Sequence, residues 1–197
     1  VYSDAQTITE QGTITAGKNS IGIYSSKPSS TVTLDTMGTI TVGENGTGIY
    51  KDGGLLQLNG TLNASGSNSV GAYVINSGTI TTGNEGTGIY SDGGTITLNA
   101  GSSITIGQNN AVGVYAVNQT GVVINNSSIS VGDSSLGFVF SGGTTPTFTN
   151  NQSATIGNGS IFTFSDSVLT ATNSGTITMT GSDNIGYFLK NGGSFVN

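Results

Sequence analysis

Residues 76–94 read NSGTITTGNEGTGIYSDGG, and residues 36–54 read TMGTITVGENGTGIYKDGG. Thirteen of these 19 positions are identical, although the two stretches lie 40 residues apart. A phrase that recurs within one chain is typical of repeat proteins, in which each copy forms a small unit that stacks on the next. The sequence therefore predicts a repetitive fold before any single element is assigned.

Weaker copies of this phrase fill the rest of the chain. A first segment, GTIT-x-G in its full form, begins at Gly12, Gly38, Gly60, Gly78, Ser102, Ser127, Ser153 and Gly175. A second segment, Gly-Ile-Tyr in its full form, begins at Gly22, Gly48, Gly71, Gly88, Gly113, Gly137, Ile161 and Gly186. A third, apolar segment begins at Thr31, Leu55, Thr95, Gly121 and Thr147. Successive second segments are 17 to 26 residues apart, so most units have room for three short strands.

Each segment alternates apolar and polar residues, which is the pattern of a β-strand with one buried face. In the first and third segments we expect the inward pairs to be Ile14/Ala16, Ile40/Val42, Ile104/Ile106, Ile129/Val131, Ile177/Met179, Val32/Leu34, Leu56/Leu58, Ile96/Leu98 and Val122/Ile124. In the second segment we assign Ile21 and Ile23 to the inner face, and Gly22 and Tyr24 to the outer face. The same parity is applied to Val70/Ala72, Val112/Val114 and Leu136/Phe138.

Glycine and asparagine punctuate the strands at regular places. A glycine follows the first strand of every unit, and an Asn or Asp, such as Asp35 or Asn125, follows the third. These residue types accept the positive φ that a sharp corner can require, so we expect them at corners. A glycine costs about 1 kcal/mol in the interior of a helix, so a chain with a glycine every few residues is not helical.

Stacked units of this kind predict a right-handed parallel β-helix, or β-solenoid, of about eight turns with three short strands per turn. Equivalent residues of successive turns would lie on parallel strands about 4.8 Å apart, which gives a rod roughly 40 Å long. The right hand follows from the general preference of parallel crossover connections. The chain, 1–197, is predicted to be one such segment, excerpted from a longer solenoid. In the short turn, Val74, Ile75 and Asn76 should take the place of a third strand. A small antiparallel β-sandwich is the alternative.

Composition excludes several classes of function. The chain has 33 glycines, four Lys plus Arg, ten Asp plus Glu, no His, no Cys and a net charge of −6. So few cations cannot neutralise a nucleic-acid backbone or an anionic membrane surface, so neither is an expected partner. A chain without cysteine has no disulfide and no thiolate metal site, and no apolar run approaches the length of about 18 residues that suggests a transmembrane helix. No catalytic residue, cofactor or metal is predicted.

The recurring NSGTIT-x-G-x-x-x-x-GIY resembles the repeats in passenger domains of large bacterial autotransporter adhesins, which use type V secretion. It is most similar to the giant fusobacterial outer-membrane adhesins. The similarity is strongest over residues 38–54 and 76–94, and weakest around residues 127–164. The resemblance implies a non-catalytic passenger displayed outside the outer membrane, with no membrane insertion of this segment. Its expected partners are glycans or surface proteins of host or neighbouring bacterial cells, besides the adjacent turns of its own solenoid.

A column of tyrosines is the candidate binding site of such a passenger. Its members are Tyr24, Tyr50, Tyr73, Tyr90 and Tyr115, with Tyr2 as a further copy. If the aliphatic face of the second segment is internal, the rings form an outward ladder that can contact a sugar or a protein. Two alternatives stay open: the rings only stack on one another and shield the sheet, or the parity is reversed and they fill the core.

An enzyme acting on polysaccharides, a lyase or a glycosidase, is the alternative function, because paired acids can cleave glycosidic bonds. The candidate pairs are Glu44 with Asp52 and Glu85 with Asp92. These acids follow the repeat, whereas a catalytic site is expected to break it. Without His or Arg, the usual base and electrostatic partners are also missing. We therefore interpret these acids as turn residues.

An ice-binding β-solenoid is a third alternative, because Thr-x-Thr pairs recur in the first segment. Ice binding needs a flat and regular array, whereas Asn63 and Ser128 interrupt the threonine rows and turn length varies. The Asp-Gly-Gly corners are interpreted as ordinary turns and not as calcium sites. Only residues 26–30 and 144–149 are candidate insertions for a cleft.

Overall fold

The computed structural model describes residues 1–4, 7–25, 30–35, 37–51, 55–58, 61–64, 66–67, 69–72, 79–92, 96–98, 100–101, 103–119 and 121–197. Only the backbone is described at residues 51, 55–58, 79–82, 91–92 and 97. The described residues form 25 β-strands and no helix. Every strand pairing among them is parallel and joins a strand to its equivalent in a neighbouring unit. The predicted parallel β-solenoid is therefore confirmed, and the antiparallel sandwich is excluded.

The first segments of the repeat form one eight-stranded sheet, here the first face. Its strands are β3 (Thr13–Ala16), β6 (Thr39–Val42), β9 (Thr61–Ala64), β11 (Thr79–Thr82), β14 (Ser103–Ile106), β17 (Ser128–Val131), β20 (Ala154–Ile156) and β23 (Ile177–Met179). The second segments form a nine-stranded sheet, the second face. Its strands are β1 (Tyr2–Ser3), β4 (Ile21–Ser25), β7 (Thr47–Lys51), β10 (Val70–Ala72), β12 (Thr87–Asp92), β15 (Val112–Val117), β18 (Leu136–Ser141), β21 (Ile161–Ser165) and β24 (Ile185–Leu189).

The third face consists of two described sheets, with three and five strands. The first sheet contains β2 (Thr7–Glu10), β5 (Thr31–Leu34) and β8 (Leu55–Leu58). The second contains β13 (Ile96–Leu98), β16 (Val122–Asn125), β19 (Thr147–Asn150), β22 (Leu169–Asn173) and β25 (Gly193–Val196). Eight units begin with a first-face strand, and seven of these contain three described strands. The predicted substitute for a third strand, Val74 to Asn76, lies outside the described residues, and the right-handed coil stays a prediction.

The core runs inside the coil as stacked columns of apolar side chains. The described first-face pairs point inward as predicted; Ile40 and Val42 are fully buried, for example. Near the end of the chain Met179 is 46% exposed. The core changes from aliphatic to aromatic in the last units, where the buried Phe138 and Phe148 rings lie 4.5 Å apart. Like residues stack because successive turns place equivalent positions on adjacent parallel strands.

The predicted parity of the second segment is wrong at its first two positions. Ile21 is 48% exposed, whereas Gly22 and Ile23 are buried and Tyr24 is only half-buried. An added Cβ on Gly22 would lie 2.6 Å from the Gly48 carbonyl oxygen and 3.3 Å from the Ile40 side chain. Two consecutive residues therefore face inward. Glycine is required at the first of them because the Gly48 backbone of the next turn occupies the space beside it, with the Ile40 side chain close by. Val70, Val112 and Leu136 likewise stand at the outer position of their strands.

One copy of the second segment is also displaced by one residue from its predicted place. The strand pairing sets Leu136 against Ile161 and Val139 against Phe164. The unit therefore aligns from Phe162, and not from Ile161. Phe162 occupies the position that is glycine in most units, and its buried ring packs against Phe138 at a centroid distance of 5.5 Å. Residue types alone did not show this shift because phenylalanine occurs on both faces of the strand.

The third face corrects another assignment. Val122 is 37% exposed, whereas Val123 and Asn125 are fully buried, so the predicted inward pair Val122/Ile124 is wrong. Asn125 points into the coil and begins a ladder of amides. Its Nδ2 donates to Asn150 Oδ1 at 2.6 Å, and Asn150 Nδ2 donates to Asn173 Oδ1 at 2.7 Å. Strand β22, which the sequence did not predict, supplies the third member.

The corner glycines serve a different purpose from the predicted one. Among those described after first-face strands, only Gly181 has a positive φ. At Gly132 an added Cβ would lie 2.5 Å from the Gly107 carbonyl oxygen, closer than two such atoms can pack. The positive φ occurs two residues after the glycine, at Asn19, Asn45, Glu85, Asn109, Ser134, Gly159 and Asp183. Glycine is therefore selected at this corner by the backbone of the preceding turn.

Candidate functional site

The outer surface of the second face carries a column of large, mostly aromatic side chains. Strand pairing aligns eight described positions into this aromatic column: Tyr2, Tyr24, Tyr50, Tyr90, Tyr115, Val139, Phe164 and Phe188. Tyr2 is 72% exposed and Phe188 is 42% exposed, while Val139 is nearly buried. The described tyrosines of the predicted ladder therefore lie outside the coil. Tyr73, the remaining predicted member, lies outside the described residues.

The rings of the aromatic column contact one another along the axis. Tyr2 and Tyr24 stack at a centroid distance of 5.3 Å, and Tyr24 and Tyr50 stack at 5.1 Å, with interplanar angles of 9° and 10°. Phe188 stacks on Phe164 in the same way, with a centroid distance of 5.6 Å and an interplanar angle of 6°. These distances match the spacing of parallel strands, so the backbone repeat holds the rings face to face.

One of the described ring pairs of the column is not stacked. The rings of Tyr90 and Tyr115 lie 5.6 Å apart and are perpendicular to each other. Beyond Tyr115 the column continues through Val139, which has no ring to stack against. The perpendicular pair therefore marks the transition from the tyrosine part of the column to the part with Val and Phe.

A second outward column runs beside the first. It contains Ile21, Thr47, Val70, Thr87, Val112, Leu136, Ile161 and Ile185. Six of these eight residues are aliphatic. Together with the aromatic column they form the second-face strip, whose sixteen described positions carry no residue charged at neutral pH.

The outer surfaces of the other two faces differ in chemistry. On the first face the outward columns are mostly Thr and Ser, as in the aligned positions Thr15, Thr41, Asn63, Thr105, Ser130 and Thr155. On the third face Thr147, Thr149 and Thr170 take outward positions. These hydroxyl-bearing rows are interrupted by Asn63, as the sequence indicated. Among the described residues, outward apolar side chains thus form long rows on the second face, whereas on the third face they occur locally, as at Val122 and Ile124.

Of the acids of the enzyme alternative, Glu44 and Glu85 have described side chains. Glu44 Oε1 accepts a hydrogen bond from Lys18 Nζ at 2.8 Å in an exposed corner ion pair. Lys18 and Glu44 follow the corner glycine by one residue, whereas Glu85 follows it by two and has a φ of 59°. Glu44 and Glu85 therefore differ by one position in the repeat, and Asn84 is the counterpart of Glu44. Asp52 lies outside the described residues.

The candidate insertions give no described cleft. Most of the first, residues 26–29, lies outside the described residues. The second is residues 144–149, and its second half lies in strand β19 of the third face. Within the described part of the chain, no three Asp, Glu, His or Cys residues cluster closely enough to hold a metal ion.

Three members of the aromatic column were not recognised as part of the candidate site from the sequence: Val139, Phe164 and Phe188. Val139 and Phe188 already stood at the tyrosine position of their segments, so the available signal was the alignment itself. Phe164 was hidden by the one-residue shift of its unit. Aligning residues 162–164 with Gly186, Tyr187 and Phe188 of the last unit would have placed Phe164 in the aromatic column.

Comparison with known proteins assigns this solenoid to a family. The profile of the BigA third pectate lyase-like domain matches residues 2–128. Because this match spans more than half of the 197 residues, the chain belongs to that family. No curated protein and no solved structure matches the chain. Among the described residues there is also no helix long and apolar enough to cross a membrane.

Proposed function

We propose that this chain is a non-catalytic segment of a bacterial cell-surface adhesin, displayed outside the cell as a stiff rod with one adhesive face. The second-face strip carries the proposal: its uncharged outward residues continue along nine stacked strands, while the other outer surfaces bear mainly hydroxyl groups. Exposed apolar surface of this extent commonly marks a site of contact with other molecules. The aligned tyrosines are the proposed contact residues.

Family membership supports the proposed display at a bacterial cell surface. BigA is a bacterial surface protein of the adhesin or autotransporter-like kind. Extracellular display, type V secretion and a parent protein like the fusobacterial adhesins are part of the proposal and rest on the resemblance of the repeats. A solenoid suits this role because each turn contacts only its neighbours, so added turns lengthen the rod without a new fold.

The non-catalytic part of the proposal rests on the distribution of acids. A glycosidase needs two carboxyl groups at a fixed separation across one substrate, and a lyase needs a base near a group that stabilises negative charge. Glu44 and Glu85 lie at corners of the repeat, where Glu44 pairs with Lys18, whereas Asp92 is the last residue of strand β12. No described feature gathers acid, base and cleft at one point.

Binding of the purified chain to cells tests the adhesive role. Fluorescently labelled chain is incubated with bacterial cells and with epithelial cells, and bound label is measured by flow cytometry. We expect binding above background that falls about tenfold when Tyr24→Ser and Tyr115→Ser are combined, because large aromatic anchors dominate binding energies. The matched control combines Thr15→Ser and Thr105→Ser on the first face and should bind like the original chain. Binding no higher than that of an unrelated folded protein contradicts the adhesive role.

A screen of polysaccharides with the same preparation tests the enzyme alternative. New reducing ends or unsaturated products that accumulate in proportion to the amount of chain would contradict the non-catalytic assignment. The proposal expects none. Loss of such turnover in Asp92→Asn would assign the activity to the acid pair predicted from the sequence.

A further inference from the structure

Ring geometry shows what the second-face strip offers to a partner. The face of an aromatic ring carries its negative charge and the edge its positive charge. The C–H groups of a sugar therefore pack on the face of a ring. In Tyr2, Tyr24 and Tyr50 the faces are directed at neighbouring rings, 5.1 to 5.3 Å away. Where the rings stack, at Tyr2, Tyr24 and Tyr50, the strip therefore presents ring edges, and the neighbouring column adds methyl groups, so that each of these turns forms a ridge. The perpendicular Tyr90 and Tyr115 rings depart from this arrangement. Such a surface is suited to packing against another ridged apolar surface.

The spacing of the ridges restricts that partner. Ridges on the strip repeat with the parallel-strand spacing of about 4.8 Å. The turns of a helix repeat about every 5.4 Å, so each helical turn shifts by about 0.6 Å relative to the ridges of the strip. After about four helical turns, the helix is out of register with the strip by half the ridge spacing. Ridges stay interlocked over the whole strip only against another surface with the same period. A second copy of this solenoid has that period, the same length and the same lack of charge.

We propose that the chain associates laterally with a second copy of itself, strip against strip and antiparallel. An antiparallel arrangement has two-fold symmetry and closes as a dimer. When the two strips overlap fully, the second strand of one, β4, lies against the eighth strand of the other, β21. Tyr24 of one copy therefore meets Phe164 of the other. The tyrosine part of each strip then packs against the part of the other that contains Val139, the smallest member of the aromatic column.

The area of the strip predicts the strength of this pairing. Nine strands give eight steps of about 4.8 Å, so the strip is about 38 Å long, and two columns with their side chains are about 13 Å wide. Two paired strips would remove about 1,000 Å² from water in total, which lies at the lower limit for specific association. Pairing should therefore be weak in dilute solution and effective where many copies are concentrated on one surface.

Net charge predicts how salt acts on the pair. Each copy carries a net charge of −6, and the strip contributes none of it. Two copies therefore repel each other at long range, while the paired surfaces attract through apolar contact. Added salt screens the repulsion and leaves the apolar contact in place. Pairing should be stronger at 500 mM than at 50 mM NaCl, which is opposite to the behaviour of an ionic interface.

Sedimentation velocity over a range of concentrations up to about 1 mM tests the proposal. The original chain should show a reversible monomer–dimer equilibrium that shifts towards dimer with salt. Tyr24→Glu and Phe164→Glu should each weaken it by about tenfold or more, because the new carboxylate loses water without gaining a partner. Thr15→Glu and Thr155→Glu make the same change of charge on the first face of the same units and should pair like the original chain. Circular dichroism confirms that all four variants keep the fold.

Mixing two variants tests the orientation. In the antiparallel pair, Lys at position 24 of one copy lies against Glu at position 164 of the other. A mixture of Tyr24→Lys and Phe164→Glu should therefore pair more tightly than either variant alone. The proposal is wrong if the original chain remains monomeric at both salt concentrations, if first-face and second-face variants behave alike, or if the mixture shows no rescue.

This inference names the partner of the proposed adhesive face and relies on the proposed function only for its cellular setting. The self-pairing proposal and the adhesin proposal can be refuted independently. A monomeric chain that still binds cells through its tyrosines refutes self-pairing alone. A chain that pairs in solution but binds no cells refutes the proposed role as a cell adhesin and leaves the pairing intact.

Discussion

At the scale of single residues, the amide ladder inside the third face shows how a polar side chain is accommodated in an apolar coil. Asn150 Nδ2 donates to Asn173 Oδ1 at 2.7 Å and to the Gln152 carbonyl oxygen at 2.9 Å, and its Oδ1 accepts from Asn125. Both hydrogens of the amide are therefore used although the side chain is fully buried. Buried polar groups are tolerated when every donor and acceptor is paired, and the parallel repeat provides those partners.

Removing one amide from this ladder should be costly. Asn150→Ala leaves the Asn125 donor and the Asn173 acceptor buried without partners, so we expect a loss of about 2–4 kcal/mol in the free energy of unfolding. Urea unfolding followed by circular dichroism measures the change. Asn151→Ala is the control, because Asn151 Nδ2 makes an equivalent bond to Asn126 Oδ1, 2.8 Å away, on the exposed side. Equal losses in the two variants would show that burial of the ladder does not matter.

A second residue-scale feature is a phenol in the core of the last turns. The hydroxyls of Tyr187 and Thr163, at aligned positions of β24 and β21, are inaccessible to water, and neither makes a hydrogen bond of normal geometry. Burial raises the pKa of Tyr187 above its ordinary value of 10.0, and the neighbouring Thr163 hydroxyl offsets part of this effect. We attribute most of the shift to the loss of water, because the two hydroxyls are poorly aligned.

This pKa shift predicts how stability depends on pH. On unfolding, the phenol of Tyr187 returns to its ordinary pKa, so above pH 10 the unfolded chain releases this proton while the folded chain retains it. The contribution of Tyr187 to stability is therefore complete below pH 10 and declines as the pH rises further. Tyr187→Phe should flatten the alkaline decline in urea midpoints, whereas Tyr115→Phe on the outer surface should keep it. An unchanged decline in Tyr187→Phe would contradict this explanation.

At the scale of elements, the corner between the first and second faces shows why the repeat is rich in glycine. An added Cβ at Gly132 would lie 2.5 Å from the oxygen and 2.8 Å from the carbon of the Gly107 carbonyl in the preceding turn. Gly107 stands in the same relation to Gly83, at 2.4 Å. The backbones of successive turns therefore pack directly against each other at this corner, without side chains between them. A side chain added at one turn would displace both that turn and the preceding one.

The position of a glycine in this column should determine its tolerance of substitution. Gly132→Ala is expected to lower the free energy of unfolding by about 2 kcal/mol or more, because the new methyl group overlaps rigid backbone. Gly17→Ala is the matched control: Gly17 occupies the same corner in the first full unit, and its nearest neighbour to an added Cβ is Ser20 Oγ at 4.0 Å. That variant should range from unchanged to more stable by about 0.5 kcal/mol. Similar destabilisation at both sites would refute the packing explanation.

At the scale of the whole molecule, the solenoid is a sum of nearly equivalent turns. Backbone hydrogen bonds connect each unit to the next, for example from Gly132 N to the Ile106 carbonyl oxygen at 3.0 Å and from Gly157 N to the Val131 carbonyl oxygen at 2.8 Å. Contacts between distant units are absent from the described strand pairings. Stability should therefore depend on each turn and its two neighbours.

Removal of one complete turn tests this additivity. Deleting residues 132–156 joins Val131 to Gly157, which is the equivalent of the deleted Gly132. We expect a folded, shorter solenoid with β-type circular dichroism and a lower urea midpoint, because one stacking interface is lost. Deleting residues 132–143 is the control, since it joins unlike positions and exchanges inward for outward side chains. Complete unfolding after the full-turn deletion would show that the solenoid is not modular.

The sequence by itself determined the class of fold, the three segments of each unit and the inward pairs of the first face. It could do so because period-2 alternation and recurrence at a fixed spacing are local signals. It also predicted the outward tyrosine column, although by a parity that was wrong for Ile21 and Gly22. Ligand binding by Tyr24, Tyr50, Tyr73, Tyr90 and Tyr115 stays a prediction.

Only the tertiary structure decided the features that depend on contact between turns. Asn125 points inward because the next turns offer it Asn150 and Asn173. Glycine is required at corners such as Gly107 and Gly132 because the backbone of the preceding turn lies within 3 Å of an added Cβ. Neither neighbour is visible from within one unit. The second-face strip likewise exists only after strand register aligns Phe164 with the tyrosines. A single copy of the repeat specifies its strands, but which side chains meet is specified by the stack.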